Sequence, residues 1–255
     1  MTHDNRGWWR RKFAPDVRTV GRGERRLLLR SSVVLALVGA VVFATMLVGV
    51  LTHTGVQRLD LPVESWFDAQ RDPGRTGVMD VVATVFGPVG MPIVVAVVSI
   101  TWAFLARHAW RPVVLACGML LGVASAELLA PVVRHPRPPV RLMLLGPDHT
   151  FSFPSGHVMG ASDFFLIGAL LVASRTHRQW VTVVLFVVAA VAMAVQVVSR
   201  LYLGYHWLTD TLASVGLSLM ITALAITVDT HLTARVRDIA REGHESGEPE
   251  TVATD

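Results

Sequence analysis

The sequence predicts an all-α integral membrane protein, a bundle of six transmembrane helices. Three observations predict it. Of 255 residues, 52% are hydrophobic and 16% charged, whereas soluble domains average about 25% charged. The apolar residues fall into six long runs, and a membrane helix needs about 20 mostly apolar residues. Between the runs, the arginines crowd into alternate loops. The composition excludes a soluble globular domain and a disordered chain. The formal net charge of +4 does not imply nucleic acid, because the basic residues punctuate apolar runs and form no continuous face. The single cysteine, Cys117, makes no intrachain disulfide and no cysteine-rich metal site. It reads as a small buried hydrophobe.

The first span, residues 32–51, carries no charge. About thirty residues precede it and its run exceeds a signal core, so it reads as a retained helix rather than a cleaved leader. The second, 79–106, contains Gly87, Pro88 and Gly90, which should kink it or delay its start. The third, 113–133, holds one acid, Glu127, and the fourth, 158–174, holds Asp163. The fifth, 180–199, is almost pure Val and Ala, and 208–228 closes the set.

Sixteen of the 23 basic residues lie before span one, in the second–third and fourth–fifth connections, and in the tail; seven lie on the other side. That bias predicts cytoplasmic termini in a cell membrane. The expected organisation is a basic cytoplasmic segment (1–31), a membrane domain (32–228), and a polar cytoplasmic tail (229–255), disordered at its acidic end. Asp60, Glu64, Asp68 and Asp72 recur every four residues between Pro62 and Pro73-Gly74. They predict a short interfacial helix with a wet acidic stripe. A divalent-metal stripe is the weaker reading, because collinear carboxylates do not converge. Glu127 lies two turns before Arg134 and is expected to be a buried partner to that active-site arginine; a proton or ion path through the bundle is the weaker reading.

Three polar segments interrupt the outer side. In the third, His206 and Asp210 are four apart, so on a helix they would share a face. Asp210 could then accept one imidazole N–H and leave the other nitrogen free as nucleophile or base. An interfacial histidine merely satisfied by a carboxylate would look the same. In the second, Pro154-Ser155-Gly156-His157 opens a helix. It offers a hydroxyl, free N–H groups and a positive dipole end to an anion, with His157 placed to donate a proton. A plain helix cap is the competing reading. In the first, prolines 136, 138 and 139 stiffen the chain around Arg137. Arg137, Arg200 and Arg134 could hold phosphate oxygens or snorkel to the interface. His135 and His149 flank the first two motifs and could line the entrance; alone, each reads as a solvated loop residue. Together the set suits phosphoryl transfer through a phospho-histidine, with arginines supplying the positive charge.

Arg137-Pro138, the unbroken Pro154-Ser155-Gly156-His157, and Ser199-Arg200 followed by His206 and Asp210 resemble the type-2 phosphatidic acid phosphatase family, relatives of the vanadium haloperoxidases. The resemblance implies a six-helix bundle with its active site at the extracytoplasmic interface. It implies that His206 attacks phosphorus, Asp210 orients it, and His157 protonates the leaving group and then activates water. Arg137, Arg200, Ser155 and the Gly156 N–H would hold the phosphoryl oxygens. Typical substrates are phosphatidate, phosphatidylglycerol phosphate or polyprenyl diphosphate; no cofactor or metal is implied. The family lysine would fall at Ala130. Arg134, one turn later, is expected to replace it if the helix continues. A lipid phosphotransferase and a non-hydrolytic anionic-lipid transporter remain the alternatives.

Overall fold

The computed structural model describes residues 11–176 and 178–236. Arg6, Arg10, Arg237, Arg241 and the acidic end of the tail lie outside the described residues. Among the described residues, eight helices of ten residues or more carry the fold: α1 (Arg22–Thr52), α2 (Asp60–Ala69), α3 (Pro73–Val85), α4 (Gly90–Leu105), α5 (Trp110–Val133), α6 (Gly156–Ala173), α7 (Gln179–Tyr202) and α8 (Leu208–Thr233). Five of them are long and apolar enough to cross a membrane, and α3 with α4 forms a sixth, bent span. The chain is an all-α membrane protein.

The bend is 54° and lies at residues 86–89. Asp72 caps α3 by accepting the Arg75 N–H at 3.0 Å, with Pro73 in the first turn. The helix therefore starts ahead of the apolar run, and Gly87, Pro88 and Gly90 interrupt the span instead of delaying its start. Likewise α1 begins at Arg22, well before residue 32. At a rise of 1.5 Å per residue its 31 residues extend about 46 Å, longer than the hydrocarbon core.

Large apolar side chains such as Val34, Leu37, Val41, Leu120, Val183 and Val191 cover the outward faces, as lipid contact requires. Inside, Met91, Leu115, Met119, Met159, Ile167 and Ile221 form a core shared by α4, α5, α6 and α8. α1 lies along α8 where two glycines meet. A Cβ on Gly39 would come within 2.5 Å of the Gly216 carbonyl, so the backbones touch in the manner of small-residue membrane interfaces.

One end of the bundle gathers the arginine-rich segments. Asp16 sits between Arg111 and Arg175, each at 3.3 Å. Lys12 donates to the Ala106 carbonyl at 2.6 Å and Arg18 to the Ser174 carbonyl at 2.7 Å. Strand β1 (Arg18–Val20) pairs in parallel with β2 (Ala234–Val236). The loops that the charge bias assigned to one side are thus joined there by the N-terminal segment.

Two acidic expectations fail. Glu127 is exposed on the outer face of α5 and makes no ion pair with Arg134, because α5 ends at Val133 and Arg134 turns away. The acidic stripe is not wet at its start: Asp60 and Glu64 are buried. Asp60 accepts the Thr209 N–H at 3.0 Å and its hydroxyl at 2.8 Å. Glu64 lies 3.9 Å and Asp68 2.6 Å from Arg71, whose Nε donates to the Tyr202 carbonyl. These side chains dock α2 onto the ends of α7 and α8. Asp163 is buried and faces Gly122 of α5.

Candidate active site

The end opposite β1 and β2 is formed by the end of α5, the start of α6, the end of α7 and the start of α8. The first motif follows α5, the second opens α6 and the third joins α7 to α8, so antiparallel packing brings the three motifs together.

His206 lies in the turn before α8, not on the helix. The helix begins at Leu208 with Trp207 as its N-cap, and Asp210 is the third helical residue. The four-residue spacing therefore does not place His206 and Asp210 on one helical face. The turn brings them near each other instead, with His206 Nδ1 3.7 Å from Asp210 Oδ2. That separation is too long for a hydrogen bond. The short contact of His206 Nδ1 is to the Ser152 carbonyl, at 2.8 Å. A carbonyl only accepts, so Nδ1 carries the proton and Nε2 keeps a lone pair. Arg137 Nη1 donates to that Nε2 at 3.1 Å. Burial pushes the His206 pKa down to about 4; Arg137 and Arg200 lower it further, while Asp210 opposes. The imidazole is neutral near pH 7.

Arg137 is anchored through its whole fork. Nη1 also donates to the Tyr205 carbonyl at 2.8 Å, Nη2 reaches Thr150 Oγ1 at 2.9 Å, and Nη2 lies 3.0 Å from Asp148 Oδ2. Burial alone would raise the Asp148 pKa. The Thr150 N–H and hydroxyl, with Arg137, overcome this and hold the carboxyl below its ordinary range. Desolvation lowers the Arg137 pKa, opposed by Asp148 and Asp210.

Beside Asp148 a cleft of about 320 Å³ opens at the α3–α4 bend. Gly87, Pro88, Val89, Leu145, His157, Arg200 and Tyr205 are among its lining residues. Arg200 stacks over Tyr205, 4.7 Å from the ring centroid, and its buried Nε has no hydrogen-bond partner among the described residues. Ser155 is the N-cap of α6, yet its side chain makes no cap bond. Its buried hydroxyl is also unpartnered. Gly156 is exposed, and a Cβ there would meet nothing within 4 Å. An unpartnered guanidinium N–H, an unpartnered hydroxyl and an open helix N-terminus can together receive an anion.

Arg134 does not join them. It caps α5 in a left-handed conformation (φ 55°), its side chain is exposed, and its Nε donates to the Pro131 carbonyl at 2.9 Å. The argument from a continuing helix fails because the helix stops one residue earlier. Its neighbour His135, expected in solvent, is buried and holds Asp210 Oδ1 at 2.8 Å. Thr150 and Asp148 were likewise missed. The Pro136–Pro139 stiffening was the only local hint that the loop after α5 folds inward.

Residues 111–233 match the PAP2 superfamily. The matched region contains all three motifs and runs from α5 to the end of α8. Over 80 residues, 29% of this chain, the sequence is 35% identical to phosphatidylglycerophosphatase B of Bacillus subtilis (strain 168). That match spans 37% of the relative's length. The fold is similar to the crystal structure of a transmembrane PAP2-type phosphatidylglycerolphosphate phosphatase from Bacillus subtilis. The TM-score is 0.67 at 22% identity, covering 80% of this chain and 98% of that one.

Proposed function

We propose that this PAP2 protein hydrolyses the phosphomonoester or diphosphate of a membrane lipid through a phospho-histidine. The observation that carries the reading is the state of His206. The Ser152 carbonyl accepts its Nδ1–H at 2.8 Å, which leaves Nε2 as the lone-pair nitrogen, 3.1 Å from Arg137 Nη1. Simple anion binding requires no such oriented lone pair.

In the first step Nε2 attacks phosphorus and the bond to the lipid oxygen breaks. His157, lining the same cleft as Arg200, protonates the leaving oxygen. In the second, His157 takes a proton from water; the oxygen attacks phosphorus, the P–N bond breaks, and phosphate leaves. Arg137, Arg200, the Ser155 hydroxyl and the Gly156 N–H hold the phosphoryl oxygens, so charge is supplied without a metal. Asp210 balances the positive imidazole that forms. Phosphatidylglycerol phosphate is the first substrate to test, because the two Bacillus subtilis relatives are named for it. Phosphatidate and polyprenyl diphosphate follow. The arginine-rich end faces the cytoplasm with both termini, and the site faces outward.

The test is phosphate release by purified protein from a panel of these lipids, with chelator present. Release from at least one, lost in His206→Ala and blocked by vanadate, supports the reading. Binding without release would identify a transporter, and transfer to an added alcohol in place of water a phosphotransferase.

A further inference from the structure

Asp210 is completely buried, and three N–H groups surround its two oxygens. His135 Nδ1 lies 2.8 Å from Oδ1. The Trp207 backbone N–H lies 2.8 Å from Oδ2. His206 Nδ1 stands off at 3.7 Å from Oδ2. The carboxylate is held at one oxygen by a second imidazole and at the other by the cap of α8.

We propose that His135 is a positioning residue of this site, acting on His206 through Asp210 and Ser152. The proposal rests on the phosphatase reading of His206. A carboxylate only accepts, so His135 Nδ1 carries its proton and donates it. Its backbone carbonyl does a second job: it accepts the Ser152 N–H at 2.9 Å, while the Ser152 hydroxyl spans the His135 and Pro136 carbonyls, each at 3.2 Å. Ser152 in turn presents the carbonyl that receives His206 Nδ1–H. Trp207 closes the assembly by donating Nε1–H to the Pro136 carbonyl at 2.7 Å.

The consequence for His206 is specific. While His135 occupies Oδ1, the carboxylate stays short of hydrogen-bond distance from His206, and the resting imidazole remains neutral. Once phosphorylation makes that ring positive, the same carboxylate is already beside it. Without the His135 side chain, one oxygen of a fully buried carboxylate loses its donor, which buried acceptors tolerate poorly. Asp210 then shifts from the place where it meets the positive ring, or takes up a proton and no longer balances it. Either outcome harms turnover and leaves Arg137, Arg200 and Ser155 in place to bind the phosphate.

The experiment is kinetics of phosphate release for His135→Ala and His135→Asn, each alone and with Asp210→Asn. In His135→Ala, kcat should fall roughly 10- to 100-fold, with KM changed less than about threefold. The carboxamide Nδ2–H of His135→Asn occupies the place of imidazole Nδ1 and should restore most of the loss. In the Asp210→Asn background, His135→Ala should cost little more. Unchanged kcat in His135→Ala overturns the proposal. So do a soluble, folded His135→Asn as slow as His135→Ala, or fully additive losses with Asp210→Asn. If His135→Ala does not fold, the asparagine variant decides alone. The pairing also reads without turnover. Histidine ¹⁵N NMR should show His135 protonated at Nδ1, with a resonance that moves in Asp210→Asn; an unmoved resonance overturns it. Wild-type protein that gives this signal but releases no phosphate sinks the phosphatase reading and leaves the pairing intact.

Discussion

Arg137 Nη1 lies 3.1 Å from His206 Nε2, so the lone pair of the proposed nucleophile is directed at the proposed phosphate-binding cation. A phosphoryl group that reacts at Nε2 must take that N–H for itself, which simultaneously frees the lone pair. The exchange needs a fork, because Nη2 is engaged with Thr150 and Asp148 at the same time. A lysine ammonium cannot span both ends. We expect Arg137→Lys to lose about 10²- to 10³-fold in kcat/KM, with vanadate inhibition weakened in parallel. Retained activity would show that charge alone suffices.

The pH dependence follows from His206. Its pKa is pushed down to about 4, chiefly by burial, from about 6.5 in an unfolded chain. The nucleophile thus stays deprotonated well below pH 6. The acid limb of kcat/KM assigned to it should fall near pH 4, once the titration of the substrate phosphate is measured separately. The same shift has a sign for stability. Below pH 6.5 the unfolded state binds more protons, so the contribution is present above 6.5 and is lost as pH falls through about 4. Thermal scans in detergent should show a Tm declining over that window, and declining less in His206→Gln.

What sequence made legible here follows hydropathy and short motifs. Six apolar runs became five spans and a bent pair, and the motifs met because antiparallel helices return their ends to one surface. What it hid was decided where helices stop. Arg134 and His135 are adjacent, yet one is exposed and the other buried, because the left-handed residue ending α5 reverses the chain between them. No periodicity announces that reversal. The acidic stripe was hidden for a related reason: its partners, Thr209, Arg71 and Tyr202, lie on other elements. Arg134→Ala tests the corrected placement. Among the described residues its guanidinium donates only to the Pro131 carbonyl, so turnover should stay within about threefold of wild type, as for ordinary exposed substitutions.

Asp60 links the interfacial helix to the helix that carries Asp210. Both of its oxygens are taken by Thr209, and burial raises its pKa against those bonds. Asp60→Ala leaves the N–H and hydroxyl of Thr209 without their acceptor at the start of α8. The expected cost is about 1–3 kcal/mol, read as a Tm lowered by about 3–10 °C. Asp60→Asn keeps one acceptor oxygen and should fall between. An unchanged Tm in Asp60→Ala would mean that water replaces the carboxylate.

Gly204 sits in the turn that delivers His206, at φ 77°. A Cβ there would fall onto the Leu142 carbonyl and lie 2.8 Å from Arg71 Nη2. The same turn is stitched to the loop after α5 by the Leu144 N–H on the Leu203 carbonyl at 3.1 Å. Gly204→Ala therefore meets two penalties: about 1–2 kcal/mol for the left-handed backbone, and displacement of a carbonyl that cannot move without breaking the stitch. Because Arg137 reaches the next carbonyl but one, at Tyr205, the displacement passes directly to the phosphate seat. Activity should drop more than about tenfold and Tm should fall with it. Gly77→Ala is the control. Gly77 is within α3, and its Cβ would meet nothing within 4 Å, so alanine should leave activity intact and raise stability by up to about 1 kcal/mol. Equal behaviour of the two variants would refute the strain at Gly204.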